Sequence, residues 1–197
     1  MTAARVIEKE GFAALALRLR GEGINNLELL TAVEQTPRTL FVPPQFSADA
    51  YSGRLLPLDC GSFMEGADLA VRLLNLLQLK AGQRVLSVDR YKTLVDGAQA
   101  SIEKAGIRNV IVRQADGSNG MPGEGTFDRI LVTAAFPALP RLFAEQLVSG
   151  GMLIAPVMVR ETACRMLRLV KTGSRFDRED LFSVPYLPLV PHLAQAL

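Results

Sequence analysis

Two acidic residues stand just beyond short β-branched runs: Asp89 after Arg84-Val85-Leu86-Ser87-Val88, and Asp116 after Asn109-Val110-Ile111-Val112-Arg113. In an open α/β sheet, ligands bind beyond the carboxyl ends of the strands. A carboxylate placed there can accept from both hydroxyls of a ribose. That rule selects Asp89-Arg90, Ala115-Asp116-Gly117, Thr133-Ala134-Ala135 and Pro156-Val157 as the candidate ligand-binding positions. Each acid also has a plainer reading: Asp89 as a loop acid or helix cap, and Asp116-Gly117 as a turn favoured for backbone reasons.

Other chemistries are excluded or weakly supported. Cys60 and Cys164 are far apart, which rules out a disulfide framework and a Cys-x-x-Cys site. Both read as small hydrophobes rather than nucleophiles. His192 is the only histidine, so a zinc site of several histidines is impossible and no metal site is expected. Among its prolines it reads as a surface or packing residue. No Gly-x-Gly-x-x-Gly and no Walker loop occurs. The 22 basic and 20 acidic residues leave a net charge of +2, too little to argue for a nucleic acid or membrane partner.

The segment Met1 to Arg20 mixes Glu8, Lys9, Glu10 and Arg18 into its apolar residues, unlike a signal peptide. No apolar run reaches the ~20 residues that span a bilayer. The expectation is a soluble cytoplasmic protein. At 197 residues, 49% of them hydrophobic, residues 1–197 are expected to form one domain with its own core.

The elements that position these residues follow from periodicity. Helices are expected over Ala3 to Arg20 and Leu27 to Gln35, the second capped by Asn25 or Asn26 and stopped at Thr36-Pro37. Phe41-Val42-Pro43-Pro44 reads as extended, and Ser47 to Gly66 as mostly loop with room for a short strand. A third helix runs from about Ala67 to Leu79 with Leu69, Leu73, Leu76 and Leu77 on one face. Strands then alternate with helices. After Ala81-Gly82 come a strand from Arg84 to Val88, a helix from Tyr91 to Ala105, a strand from Asn109 to Arg113 and a turn-rich loop from Gly117 to Gly125. A strand from Phe127 to Thr133, a helix from Pro137 to Val148 and a strand from Met152 to Val157 follow. Arg165 to Val170 and Asp180 to Leu189 close the chain as edge or hairpin strands. This pattern implies an α/β fold with a mainly parallel sheet. Residues 1–66 form N-terminal helices and a loop, and residues 67–197 form the α/β core.

The order of segments resembles the protein-L-isoaspartate O-methyltransferase family. The likeness rests on Thr36-Pro37-Arg38 with Phe41-Val42-Pro43-Pro44, Tyr51 followed by Leu55-Leu56-Pro57-Leu58, and Leu79-Lys80-Ala81-Gly82-Gln83-Arg84-Val85-Leu86. It continues through Asn109-Val110, Asp116-Gly117, Phe127-Asp128-Arg129-Ile130-Leu131-Val132-Thr133-Ala134-Ala135, Gln146-Leu147, Gly150-Gly151 to Pro156-Val157, and Phe176 with Arg178-Glu179-Asp180-Leu181. The resemblance implies a Rossmann-like methyltransferase sheet with an antiparallel C-terminal hairpin. It implies S-adenosyl-L-methionine as cofactor and isoaspartyl carboxylates of damaged proteins as substrate, a protein-repair reaction. It places Asp89 at the ribose, Asp116 and Gly117 at the adenine side, Thr133, Ala134 and Ala135 under the pocket, and Gly61 and Ser62 near the transferred methyl. No catalytic base is assigned, because a carboxylate is already ionised at neutral pH. Holding it in line with the methyl can supply most of the catalysis.

Two departures stand out. The family follows Arg-Val-Leu with a glycine-rich turn, a helix and a second strand ending in an acid. Here Leu86 runs directly into Ser87-Val88-Asp89. A helix of ~11 residues and a strand of ~5, with their turns, make about 20 missing residues. The family's Gly-Gln-Thr-Ile-Ser loop is Gly61-Ser62-Phe63-Met64-Glu65 here, so neither family hydroxyl is kept in place. The alternatives to an active enzyme are a catalytically silent relative acting as a binding or scaffolding domain, and an internally deleted form of an active one.

Overall fold

In the computed structural model the described residues are 3–58, 61–80, 83, 85–108, 110–138, 141–161 and 163–194. Cys60, Ala81-Gly82, Arg84 and Asn109, named from the sequence, lie outside them. The chain forms two compact units, Met1–Gln78 with Thr93–Val112, and Leu79–Lys92 with Arg113–Ala196.

The first unit is built on three helices, α1 (Ala3–Gly21), α2 (Leu27–Gln35) and α3 (Ala67–Leu77). Leu15 and Leu19, one helical turn apart, are fully buried on α1. They pack with Leu30 of α2, Ala67 and Val71 of α3, and Tyr51. Of the two asparagines expected to cap α2, Asn26 does so: its side chain accepts from Leu29 N–H at 3.1 Å. α3 stops two residues earlier than its apolar pattern suggests, because Gln78 turns into the left-handed region at φ 50°. Of the extended run expected over Phe41–Pro44, Pro43 is extended at φ −55°, ψ 141°, whereas Phe41 closes the 3₁₀ turn Arg38–Leu40 and Pro44 already belongs to the next, Pro44–Asp49. Pro44 opens the second turn, where its missing N–H costs nothing. A short hairpin follows, β1 (Leu56–Pro57) pairing antiparallel with β2 (Phe63–Met64). Helix α4 (Lys92–Lys104) donates from Gln99 Nε2 to Val112 O at 3.0 Å, and Ser101 Oγ reaches Leu40 O at 2.8 Å.

β3 (Val85–Asp89) pairs with β4 (Val110–Gln114), and β5 (Phe127–Leu131), β6 (Leu147–Arg160), β7 (Ala163–Thr172) and β8 (Arg175–Val184) lie side by side in chain order. The second unit carries β3 and β5 to β8, and these strands fall in two sheets. β5 and β6 are parallel, and β6, β7 and β8 run antiparallel, closing through a tight turn at Gly173-Ser174. This is the α/β arrangement with a C-terminal antiparallel hairpin that the sequence implies. β6 is the spine: Ile154 is fully buried and Leu153 nearly so, and each faces a β5 residue on one side and a β7 residue on the other. Phe136 and Phe143 meet edge to face at 5.5 Å over this layer.

Several boundaries differ from the sequence reading. The helix expected from Pro137 to Val148 is, among the described residues, α5 (Arg141–Glu145). β6 begins at Leu147, where Gln146 O has already accepted from Phe127 N–H at 2.7 Å. β6 also runs on past Pro156-Val157 to Arg160, so that pair is not a strand end. β8 starts at Arg175, five residues before the expected Asp180, and ends at Val184 rather than Leu189. Its Asp177 to Asp180 stretch is charged and exposed, which hides a strand from pattern reading but suits a sheet edge. No helix among the described residues is long and apolar enough to cross a membrane.

Candidate functional site

β3 is a continuous strand through Leu86 and Ser87, so the chain is unbroken at that junction. Its end lies beside the end of β4, with Ala115 N–H donating to Asp89 O at 3.0 Å and Gln114 Nε2 to Arg90 O at 3.1 Å. Asp89 Oδ1 accepts from Tyr91 N–H at 2.8 Å, the turn that leads into α4. Among the described residues, its other oxygen has no such bond. Asp116 is more fully engaged: Oδ1 takes Ser118 N–H at 2.9 Å and Oδ2 takes His192 N–H at 2.7 Å. The Ser118 hydroxyl and N–H, and then the His192 N–H, hold the Asp116 carboxyl below the usual carboxylate range. Gly117 approaches Val88: a Cβ there would sit 3.4 Å from Val88 Cγ2.

Beyond β5, Val132 N–H continues the pairing to Ile154 O at 2.9 Å. Thr133 is exposed, Ala134 half-buried and Ala135 fully buried. Ala135 is gripped by a later segment, its N–H donating to Leu187 O and its O accepting from Leu189 N–H, both at 2.8 Å. Asp89, Asp116-Gly117 and Ala135 thus lie in one unit at strand ends, as the sequence rule requires.

Gly61 and Ser62 belong to the first unit, at the tip of the β1–β2 hairpin. Gly61 sits at φ +72°, a conformation open to glycine, and Leu58 N–H closes the turn onto Ser62 O at 3.0 Å. The base of this hairpin rests on a polar network that sequence reasoning missed. Arg38 donates from Nε to Ala50 O at 2.7 Å and from Nη2 to Glu65 O at 2.6 Å. The Glu8 carboxylate accepts from both the Thr39 and Tyr51 hydroxyls, and Tyr51 OH in turn accepts from Arg38 N–H at 3.1 Å. Gly66 packs so closely on Gly53 that a Cβ would lie 2.4 Å from its carbonyl.

Burial first, then the Glu8 contact, pushes the Tyr51 hydroxyl up to about 12. Because the folded value is raised above that of the unfolded chain, this contribution to stability is whole below pH ~10. It is lost as pH climbs through about 12. Phenolate absorbance compared between the chain and a Tyr51→Phe variant should show the missing group ionising near pH 12. A difference centred near the ordinary value of ~10 would contradict the network.

Gln146, part of the family-like Gln146-Leu147 pair, has a structural task. Its side chain clamps Met121, Nε2 to O at 2.6 Å and Oε1 from N–H at 2.8 Å, and so holds the loop that follows Asp116. Gln146→Leu strands both backbone groups and should cost about 1–3 kcal/mol, read from a thermal melt. An unchanged melt would mean water replaces the clamp at no cost.

Comparison with known proteins bears on the family and the fold. The family model for protein-L-isoaspartate(D-aspartate) O-methyltransferase matches residues 11–88 and 83–194, two stretches that overlap over residues 83–88. A Rhizobium meliloti protein-L-isoaspartate O-methyltransferase is 61% identical over 204 residues, covering 93% of this chain and all of the relative. The Azorhizobium caulinodans enzyme of the same name is 35% identical over 211 residues, covering 96% of this chain and 97% of its own. Both alignments run longer than the 197 residues of this chain, so the relatives carry residues with no counterpart here. Among solved structures, a protein-L-isoaspartate O-methyltransferase superposes with a TM-score of 0.76 at 19% identity, covering 94% of this chain and 67% of that one. A Plasmodium falciparum beta-aspartate methyltransferase in complex with S-adenosyl-L-homocysteine gives 0.74 at 19% identity, covering 90% and 97%. At that identity the two structures speak for the fold alone. The family model and the curated relatives settle the rest: the chain belongs to the protein-L-isoaspartate(D-aspartate) O-methyltransferase family.

Proposed function

We propose that this chain is an S-adenosyl-L-methionine-dependent carboxyl methyltransferase that acts on isoaspartyl residues of damaged proteins in the cytoplasm. The observation that carries this reading is the family match, which spans both compact units. The whole chain, residues 1–197, is read as one working methyltransferase domain. The donor set at the strand ends suits the cofactor. Asp89 has an oxygen available to accept from ribose hydroxyls, Asp116 and Gly117 offer an acceptor and a close backbone approach at the adenine side, and Thr133, Ala134 and Ala135 would floor the pocket. When bound, S-adenosyl-L-methionine supplies an electrophilic methyl. Gly61 and Ser62 are read as the substrate loop, with Arg38 fixing its base. The substrate carboxylate arrives ionised, so the chain's task is to orient it and exclude water rather than to remove a proton.

A second reading, a relative that binds without catalysis, is favoured by one specific feature. Ser87 follows Leu86 directly, and no glycine-rich turn lies between them. Without it the backbone has no close approach to the cofactor at that point, and weakened or lost binding is the expectation. Calorimetric titration with S-adenosyl-L-homocysteine, followed by methyl transfer to an isoaspartyl peptide, separates the readings. Micromolar binding with turnover supports the enzyme, and silence at millimolar ligand supports the silent relative. If binding is seen, Asp89→Ala should weaken it by ~1.5–3 kcal/mol, the range for hydrogen bonds to a charged group. An unchanged dissociation constant in a folded variant removes Asp89 from the site.

A further inference from the structure

The segment Leu187–Ala194 touches, in turn, the residues that follow three different strands. Its first part pairs with Ala135 beyond β5, through Leu187 O and Leu189 N–H. Its middle donates from His192 N–H to Asp116 Oδ2 beyond β4, at 2.7 Å. Its last described residue donates from Ala194 N–H to Arg90 O beyond β3, at 3.2 Å. The carboxyl ends of parallel strands are where this class of fold takes its ligands. Here the chain's own backbone crosses that place.

The two halves of the segment are held very differently. Leu189 packs against the cluster around Phe136, Leu153 and Leu169, and Tyr186 just before it is buried. Beyond Leu189, Val190 is 54% exposed and Leu193 48% exposed, so hydrogen bonds rather than apolar burial hold this part. His192 sits at φ +68°, a region that non-glycine residues occupy only when their surroundings hold them there. A segment with few buried apolar contacts and local backbone strain is the kind that opens readily. The bond to Asp116 offsets that strain, and release relieves it.

We propose that Val190–Ala194 is a strap that competes with the cofactor for the Asp116 carboxylate and hinges open about Leu189. This deepens the proposed function, because it rests on Asp116 serving the adenine side of S-adenosyl-L-methionine. An adenine amino group is a hydrogen-bond donor, as the His192 N–H is. With Oδ1 already given to Ser118 N–H, the strap and the ligand seek the same oxygen. The strap then lowers apparent affinity by the fraction of molecules in which it is open.

Two variants release the strap independently. One ends the chain after Leu189. The other, His192→Pro, removes the donor and fixes φ near −65°, incompatible with the observed conformation. Both should bind S-adenosyl-L-homocysteine about tenfold more tightly than the full chain in calorimetric titration, the effect of an open state populated at about one in ten. Saturating ligand should also speed amide exchange at His192 and Ala194 in the full chain. Equal or weaker binding by both folded variants, or unchanged exchange under saturating ligand, overturns the proposal. If no form binds, the cofactor reading of Asp116 fails and the competition fails with it. Amide exchange then decides the contact separately. Asp116→Ala should speed exchange at His192 at least about tenfold, and no change would show that the carboxylate does not hold the strap.

Discussion

Inserting a glycine-rich turn, a helix and a strand, about 20 residues, between Leu86 and Ser87 should raise the melting temperature by about 10 °C and tighten cofactor binding, bringing it to the micromolar range if the parent chain binds only at millimolar ligand. β3 and β4 form one sheet and β5 to β8 another, and among the described residues no ladder joins β3 to β5. In a doubly wound sheet the first strand lies between the second and the fourth. On the family resemblance β3 ends as the second strand does, in Ser87-Val88-Asp89, and β5 is the fourth, so the interruption falls where the first strand belongs. The neighbouring strands bear the mark of this. Val85, Leu86 and Val88 in β3, and Ile130 and Leu131 in β5, are only half-buried, whereas strands of a parallel sheet are normally covered on both faces. A restored strand would cover part of that surface, and ~100 Å² of apolar area is worth about 2.5 kcal/mol. A millimolar-to-micromolar change in affinity is about 4 kcal/mol, within reach of the several backbone contacts a glycine turn offers. An inserted chain that folds but melts no higher and binds no better would show that the interruption is harmless.

Ile154→Ala should cost about 3 kcal/mol, the largest effect expected of a single core substitution here. Ile154 is fully buried at the middle of β6, paired with Leu131 on one side and Arg168 on the other. Its neighbours in sequence, Leu153 and Ala155, are 2% and 1% exposed, so little movable structure is at hand to collapse into the cavity. In a chain of this size such a loss corresponds to a fall of about 10 °C in melting temperature. Ile154 O also accepts from Val132 N–H, the bond that leads into Thr133-Ala134-Ala135, so a shifted β6 should loosen the site as well. Ile154→Val, which keeps the branched shape, should cost only about 1 kcal/mol. Equal melting of the alanine variant and the parent would mean β6 is not the spine of the second unit.

What the sequence determined was local or ordinal. The leucine spacing in α1 and α3, an asparagine cap on α2, the stop before Pro37 and the strand cores at Val85–Val88, Val110–Arg113 and Phe127–Leu131 all follow from patterns a few residues long. Backbone sterics and burial act at that range. The order of these pieces was enough to indicate the family, and strand-end placement made Asp89, Asp116 and Ala135 candidates for the site. Tertiary structure decided what depends on distant partners. The charged β8 became a strand because β7 offered it an edge, and the extended stretch expected over Phe41–Pro44 was cut short at both ends by 3₁₀ turns, leaving Pro43 extended between them. Glu8 meets Thr39 31 residues away and Tyr51 43 residues away, and Asp116 meets His192 76 residues away. A hydrogen bond across such a separation leaves no periodicity in the chain. It exists because burial leaves polar groups to find partners wherever the fold brings them, and that is set by the packed structure as a whole.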